Sequence, residues 1–324
     1  MQWAPDTSDK WAPDPGGRNE WALDSAAGPL SLGTAVEHFQ TAKAAEGASP
    51  KTIEWYRMVL GRAARDLGAR RPLDALTSTE LRTWLLGLRA TLSPISVAGY
   101  VRGLKAFGNW CATEELAEAR GLRTLRRPQV PHKLVEPLSD ASLRRLLDAA
   151  SVRDRAIVLL MLDTGLRLSE VAGLRGCDLR SDGSVKVLGK GSRERVVPVG
   201  NAALQALLRY LRQVGFAEPD QPIFRSRGGG SLGARGIQQV FNRLKARTGI
   251  SGRCSPHTLR HTFARSYLVN GGDAFSLQRI LGHTTLDMVK RYVALADGDL
   301  ASRHRGASPA DHLMGSERRL DLAT

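Results

Sequence analysis

The chain has 324 residues, which is enough for about two domains with a buried core each. Lys and Arg number 47 against 32 Asp and Glu, and the formal charge of +15 indicates a polyanionic partner such as nucleic acid. The longest apolar run has seven residues and the N terminus lacks a signal-peptide pattern, so we expect a cytoplasmic protein with no membrane span. The three widely separated cysteines predict neither a disulfide framework nor a zinc ribbon.

The first 30 residues form an acidic tail that repeats one short motif. The letters WAPD occur at 3–6 and 11–14, and WALD at 21–24, among many Pro, Gly, Asp and Ser residues. Such a composition cannot bury a core, so residues 1–30 are expected to be disordered in isolation. Two interpretations stay open, a tolerated tail and a docking motif based on the tryptophans.

Residues 31–119 carry the pattern of a small all-helical bundle. Apolar residues recur at spacings of three and four, and several serines are placed as N-caps. The pattern predicts four helices, over residues 34–45, 50–67, 79–88 and 93–111, with N-caps at Ser49, Ser78 and Ser93.

Residues 120–137 are predicted to form a basic interdomain linker, because two prolines there would stop any helix. Four arginines precede or adjoin the first proline: Arg120, Arg123, Arg126 and Arg127. A run of charge usually marks a solvated face, but beside a basic bundle we favour contact with the phosphate groups of nucleic acid.

Residues 138–300 are predicted to be helical with one interruption. The stretch CDLRSDGSVKVLGKGSRERVVPV, residues 177–199, contains β-rich runs broken by Asp182-Gly183 and by Gly189-Lys190-Gly191. It should form a small antiparallel hairpin or meander. The predicted fold is therefore mainly α, with a minor antiparallel sheet in the second domain, and residues 301–324 form a C-terminal tail.

Two motifs in this segment provide candidate anion-binding side chains. In MLDTGLRLSEVAGL, Gly165 ends a buried helix and Glu170 lies near the start of the next, which leaves Arg167 in the elbow between them. Amide donors and the positive end of a helix dipole surround an arginine there, which favours a phosphate site. In SPHTLRHTFARSYL, His257 and Arg260 share one helix face, so both can point at one anion.

The stretch ILGHTTLDMVKRYV, residues 280–293, repeats the elbow design. A helix over 275–281 should stop at Gly282, which holds His283 in a bend before a new helix. Tyr292 lies at the edge of the apolar stripe of that new helix, where ordinary packing is an alternative to a chemical role.

Zinc is a rival interpretation, since His257 and His261 have the i, i+4 spacing of a metal-binding helix. The residue after His257 is Thr258 rather than Glu, and no cluster of Cys or acidic residues lies nearby in the sequence. We therefore expect no metal site.

In chain order the motifs read TGLR.SE, a hairpin with GKG..R.R.VPV, then H.LRH.FA, then LGH followed nine residues later by Tyr. This combination closely resembles the tyrosine recombinase (phage integrase) family, and its size and layout look most like the Xer-type recombinases. The resemblance covers roughly residues 31–300. It implies a helical core-binding (SAM-like) DNA-binding domain over 31–119 and a catalytic domain over 138–300, as in DNA breaking-rejoining enzymes.

The resemblance also implies the role of each motif residue. Glu170 would orient one of the arginines, and His261 would support the site. The implied catalytic residues are the phosphate-clamping Arg167 and Arg260, the hairpin Lys190, His257, His283 and the nucleophile Tyr292.

The implied activity is site-specific DNA recombination, with strand cleavage and rejoining through a 3′-phosphotyrosine intermediate and a Holliday junction, and without metal, ATP or another cofactor. The expected partners are double-stranded DNA and a homo-tetramer, or a hetero-tetramer with a second recombinase, on two DNA sites. The tail 301–324 is a candidate protomer contact, and the expected location is the nucleoid. Two alternatives stay open: a type IB topoisomerase-like relaxation enzyme and a non-catalytic DNA-binding accessory protein.

Overall fold

The computed structural model describes residues 30–130, 136–189 and 194–282, together with 285, 289, 290, 292, 304 and 308–314. The acidic repeats of the predicted tail lie outside these residues. The chain divides into two compact units with the boundary between Lys133 and Leu134. Across the described ranges, no helix is both long enough and apolar enough to cross a membrane.

Over residues 30–130 the first unit is all-helical, as predicted. Its helices are α1 (Leu32–Ala45), α2 (Pro50–Leu67), α3 (Ser78–Arg89), α4 (Pro94–Thr113) and α5 (Arg120–Arg123), with a 3₁₀ turn over Leu73–Ala75.

Side-chain N-caps fix where these helices begin. The hydroxyls of Ser49 and Ser93 accept hydrogen bonds from backbone N–H groups of the first turns, as predicted. The prediction of Ser78 as the cap of α3 is wrong. Thr77 caps this helix in a capping box with Glu80, and Ser78 is its first residue.

The core of the first unit is built around Phe39, which is completely buried. Its ring packs edge-on against Tyr56, Phe107 and Trp110, with centroid distances of 4.8, 5.6 and 5.4 Å. This aromatic cluster joins α1, α2 and α4 into one bundle.

The chain remains part of the first unit beyond residue 119, where the linker was predicted to begin. Leu122 and Leu125 are buried in the core of this unit. A Cβ on Gly108 of α4 would lie 2.6 Å from the Leu122 Cβ, so a glycine is needed for α5 to pack this closely. The apolar leucines between the arginines therefore fold the start of the predicted linker onto α4.

In its described residues the second unit is helical with one hairpin, as predicted, and the mainly α fold class is confirmed. Strands β1 (Val185–Leu188) and β2 (Glu194–Val197) pair antiparallel, with Val185 opposite Val197. The helices are α6 (Asp140–Ala149), α7 (Val152–Thr164), α8 (Leu168–Gly173), α9 (Asn201–Val214), α10 (Gly233–Thr248), α11 (Pro256–Val269), α12 (Ala274–Leu281) and α13 (Pro309–Met314).

Helix α7 is the central helix of the second unit. Ile157 and Met161 are completely buried, and α7 packs against both α9 and α11. It ends at Gly165, whose φ of +60° is the left-handed conformation that favours glycine. A Cβ at this position would lie 2.3 Å from Phe263 Cδ1 and 2.8 Å from Leu281 Cδ2. Glycine thus lets the elbow after α7 approach α11 and α12.

We predict that Gly165→Ala will destabilise the second unit by about 2–4 kcal/mol, because the methyl group adds overpacking to left-handed backbone strain. Gly249→Ala is the matched control, since Gly249 also ends a helix at φ +61° but has no neighbouring atom within 4 Å of the place that a methyl group would take. Only the strain of about 1–2 kcal/mol applies there. Urea unfolding of both variants measures the difference, and equal losses would contradict the packing argument.

Candidate active site

Three arginines converge on the C-terminal end of α12. The carbonyl oxygens of Ile280, Leu281 and Gly282 accept hydrogen bonds from three different side chains: Arg195 Nε at 2.8 Å, Arg260 Nη2 at 2.8 Å and Arg167 Nη2 at 3.3 Å. Carbonyls at a helix C terminus lack intrahelical partners and carry the negative end of the helix dipole. The end of α12 therefore offers acceptors that gather cationic side chains from three separate elements.

Arg167 lies in the elbow between α7 and α8, where the sequence predicted it. Its Nη1 donates to Glu170 Oε1 at 2.9 Å, and its backbone N–H donates to Glu170 Oε2 at 2.7 Å. The side chain is 34% exposed. Glu170 thus orients the Arg167 side chain, which remains partly exposed to solvent.

Arg260 is the most enclosed of the three arginines. It extends from α11, is 6% exposed, and donates from Nη1 to the Gly165 carbonyl at 2.6 Å as well as to Leu281. Burial lowers the pKa of Arg260 to about 10, and the neighbouring Arg167 cation adds to this effect. Arg260 is therefore still a cation at neutral pH.

Glu170 is the anion among these cations. Burial opposes its ionisation, but hydrogen bonds from Arg195 and Arg167 outweigh burial and hold the pKa of the carboxyl below its usual value. Arg167 and Arg195 thus bind one carboxylate, and Arg260 interacts with it electrostatically. The excess positive charge of the three guanidinium groups favours an anionic ligand.

Arg195 belongs to the hairpin motif, but the motif alone assigned it no role. Val185 and Val187 are buried on one face of β1, and the antiparallel register places Val197 and Arg195 opposite them. Paired residues of two strands share a face of the sheet, so an arginine opposite Val187 points toward the interior. This alternation of inward-facing residues along the two strands was the sequence signal that could have identified Arg195.

His257, His261 and Tyr292 form the other side of the cluster. The Nε2 atoms of the two histidines are 2.8 Å apart, and the His261 ring centroid is 5.3 Å from that of Tyr292. Tyr292 also interacts electrostatically with Arg260. Its side chain is only 5% exposed in an apolar cluster with Phe263. Tyr292, which the sequence places at the edge of an apolar stripe, is thus buried together with residues of α11 and α12.

The structure thus brings together six of the residues selected from the sequence: Arg167, Glu170, His257, Arg260, His261 and Tyr292. Lys190 and His283 lie outside the described residues. Arg120, Arg123, Arg126 and Arg127 belong to the first unit. In the part of the chain that the structure describes, no group of three His, Cys, Asp or Glu side chains is arranged to hold a metal ion.

We predict that the second unit loses stability as the pH falls from about 6.5 toward 4 because of His257. Burial lowers the pKa of His257 to about 4, and the neighbouring His261 and Arg260 contribute. An unfolded histidine has a pKa of about 6.5, so over this range the unfolded chain binds a proton that the folded chain does not. Urea midpoints between pH 7 and 4.5 should show a shallower pH dependence for His257→Gln than for wild type.

The control for this measurement is His38→Gln, which changes an exposed histidine of the first unit. It should keep the wild-type pH dependence. A His257→Gln curve parallel to the wild-type curve would contradict the assignment of the acid loss to His257.

Comparisons with known proteins show the family to which the chain belongs. The family model described as "Phage integrase family" matches residues 130–298. The chain is 36% identical to the tyrosine recombinase XerC of Shewanella amazonensis over 270 residues, which cover 81% of this chain and 90% of that protein. It is 31% identical to the XerC of Myxococcus xanthus over 296 residues, which cover 86% and 99%.

Two solved structures have the same fold. The Tn1549 transposon integrase in complex with transposon right end DNA superimposes with a TM-score of 0.72 at 19% identity, over 86% of this chain and 99% of that one. A lambda integrase dimer bound to a COC′ core site gives a TM-score of 0.69 at 19% identity, over 80% and 97%. The matched motifs, the relatives and the fold lead to one conclusion: the chain belongs to the phage integrase family, the tyrosine recombinases.

Proposed function

We propose that this protein is a site-specific DNA recombinase that breaks and rejoins strands through a tyrosine. The Tyr292 oxygen attacks a backbone phosphorus, the bond from phosphorus to the 5′ oxygen breaks, and a 3′-phosphotyrosine and a free 5′-hydroxyl result. A 5′-hydroxyl from another strand then attacks the phosphotyrosine and releases Tyr292. Two such exchanges, with a Holliday junction between them, complete recombination without ATP.

One observation carries the proposal. Arg167 and Arg260 donate to adjacent carbonyls at the end of α12, and Tyr292 interacts with Arg260. A phosphodiester repels nucleophiles, so two guanidinium groups on its non-bridging oxygens lower the barrier as charge develops there. In this proposal the phosphate takes over donors that the free chain directs at its own carbonyls.

Proton transfer is assigned to the remaining residues. His257 is neutral at pH 7 because burial lowers its pKa to about 4, so one ring nitrogen is free of a proton. We assign to it the phenolic proton of Tyr292, as the family resemblance implies. Lys190 donates a proton to the departing 5′ oxygen, and His283 assists at the same phosphate, as the family resemblance implies. Since Tyr292 is 5% exposed, the proposed reaction includes a rearrangement that exposes its oxygen when DNA binds.

We propose that arginines of the first unit contact DNA phosphates, and that these contacts do not distinguish one base from another. Arg126 and Arg127 are exposed. An open cavity of about 370 Å³ in this unit is lined by Lys105, Asn109, Arg120, Arg123 and Thr124. We propose that this basic cavity and the two exposed arginines follow the DNA backbone.

The assembly is proposed to be four protomers on two DNA sites, either identical or paired with a second recombinase. The C-terminal tail supplies a candidate contact between protomers, because Leu313 of α13 is 85% exposed. Sedimentation of the protein with and without its DNA site distinguishes a tetramer from a monomer or dimer.

The central experiment is capture of the covalent intermediate. A DNA site is first selected from a random duplex pool with the wild-type protein, and a nick is then placed beside the cleavage position so that the 5′-hydroxyl diffuses away. We expect an SDS-resistant protein–DNA adduct whose peptide map places the phosphate on residue 292. No adduct would overturn the proposal and favour a non-catalytic DNA-binding protein. An adduct with rapid relaxation of plasmids that lack paired sites would favour a topoisomerase.

A further inference from the structure

We propose that Arg195 is a positioning residue of the active site, which acts through Glu170 to set the direction of Arg167. This inference rests on the proposed function, since Arg167 is taken to clamp the reacting phosphate. Arg195 does not contact that phosphate in the proposal. Its role is to hold the Glu170 carboxylate, which in turn orients Arg167.

The contacts of Arg195 use its guanidinium as a fork. Nη1 donates to Glu170 Oε1 at 2.8 Å and Nη2 donates to Glu170 Oε2 at 2.9 Å, which is a bidentate pair. Nε donates to the Ile280 carbonyl at 2.8 Å. The side chain is 13% exposed, so little water competes for these bonds.

Glu170 has both carboxylate oxygens shared between two arginines. Oε1 accepts from Arg167 Nη1 and Arg195 Nη1, and Oε2 accepts from the Arg167 backbone and Arg195 Nη2. The carboxylate is 3% exposed and cannot turn freely. Without the fork, one arginine would hold it from one side only, and the carboxylate and Arg167 would be free to rotate together.

Arg195 also connects the hairpin to α12. Arg195 lies on β2, while Ile280 is in the last turn of α12. Gly282, at φ +62°, allows this approach, since a Cβ there would lie 3.2 Å from the Arg195 side chain. One side chain therefore fixes the spacing between the strand, the helix end and Glu170.

The test compares single-turnover cleavage by Arg195→Gln, Arg195→Lys and wild type on the nicked duplex with the selected site, at saturating protein. We expect Arg195→Gln to lower the rate of adduct formation on the order of 10²-fold, since a misplacement of about 1 Å has that effect. The Kd for the duplex should stay within about threefold, because no phosphate contact is removed. The rate of Arg195→Lys should exceed that of Arg195→Gln by less than about tenfold, since an ammonium is a point charge and cannot form a bidentate pair.

A double-mutant cycle tests the route through Glu170. In a Glu170→Gln background, Arg195→Gln or Arg195→Lys should lower the rate of adduct formation by less than about a further threefold. The reason is that Glu170, through which Arg195 acts, is already altered. Lys186→Gln is the control on the paired strand, where an exposed ion pair with Glu194 is lost. It should leave the rate unchanged.

Circular dichroism at the assay temperature establishes that each variant is folded, and Arg195→Lys keeps the cycle measurable if Arg195→Gln does not fold. A wild-type rate in Arg195→Gln, full recovery by Arg195→Lys, or losses that multiply with Glu170→Gln would overturn the positioning role. Absence of an adduct from wild type itself is the distinguishable outcome in which the proposed function fails, and the inference with it.

Discussion

Replacing Tyr292 with Phe will abolish the covalent protein–DNA adduct, with a loss of cleavage on the order of 10⁴-fold or more. Phe keeps the ring that packs against His261 and within the apolar cluster around Phe263, and it removes only the oxygen. The variant therefore keeps the ring contacts and lacks the proposed nucleophile. The measurement is SDS gel analysis of the nicked duplex after incubation with each protein.

Two controls make this result specific. Tyr267→Phe removes the same oxygen from another tyrosine that packs against Phe263, and it should leave the adduct at its wild-type level. The Kd of Tyr292→Phe for the intact duplex should match that of wild type. An adduct formed by Tyr292→Phe would assign the nucleophile to a different residue and remove the basis of the proposed mechanism.

Replacing Arg260 with Ala will lower the cleavage rate on the order of 10³-fold or more, while the Kd for duplex DNA changes by less than about tenfold. Loss of a single preorganised donor to developing charge costs about 10²–10³-fold in rate, and this guanidinium offers two. Binding depends on many phosphate contacts, of which one is lost. The measurement pairs single-turnover cleavage with titration of the same duplex.

Arg260→Ala also leaves the Gly165 and Leu281 carbonyls without their donor, so the unfolding free energy should fall by about 1–3 kcal/mol for each buried acceptor. Urea unfolding must therefore accompany the kinetics, and the rate is taken where the variant is fully folded. Arg265→Ala on the same helix is the matched control and should change neither rate nor Kd by more than about threefold. Equal losses of cleavage and binding in Arg260→Ala would mean that Arg260 only anchors the duplex.

The order of motifs and the periodicity of the helices could be predicted from the sequence, because both are local properties. A helix pattern needs only its own residues, and glycine at positions 165 and 282 predicts a helix end from its backbone freedom alone. Those predictions placed Arg167 in an elbow and Arg260 on a helix face. They could not show which atoms these arginines contact.

The partners of the arginines were decided by tertiary structure. Arg195 and Arg167 donate to carbonyls 85 and 115 positions away along the chain, and every residue has a carbonyl. No residue type at positions 280–282 therefore marks them as acceptors. The burial of Tyr292 under α11 and α12 has the same origin, since an amphipathic pattern shows which face is apolar but not what covers it.

By itself, then, the sequence determined the family, the helices, the hairpin and the set of candidate side chains, since each depends on residue types at short spacing. Only the folded chain decided that Arg195 joins them, that α5 belongs to the first unit, and that three guanidinium groups meet at one helix end. These features depend on packing between distant segments, where shape and the unpaired carbonyls of a helix terminus select the neighbours.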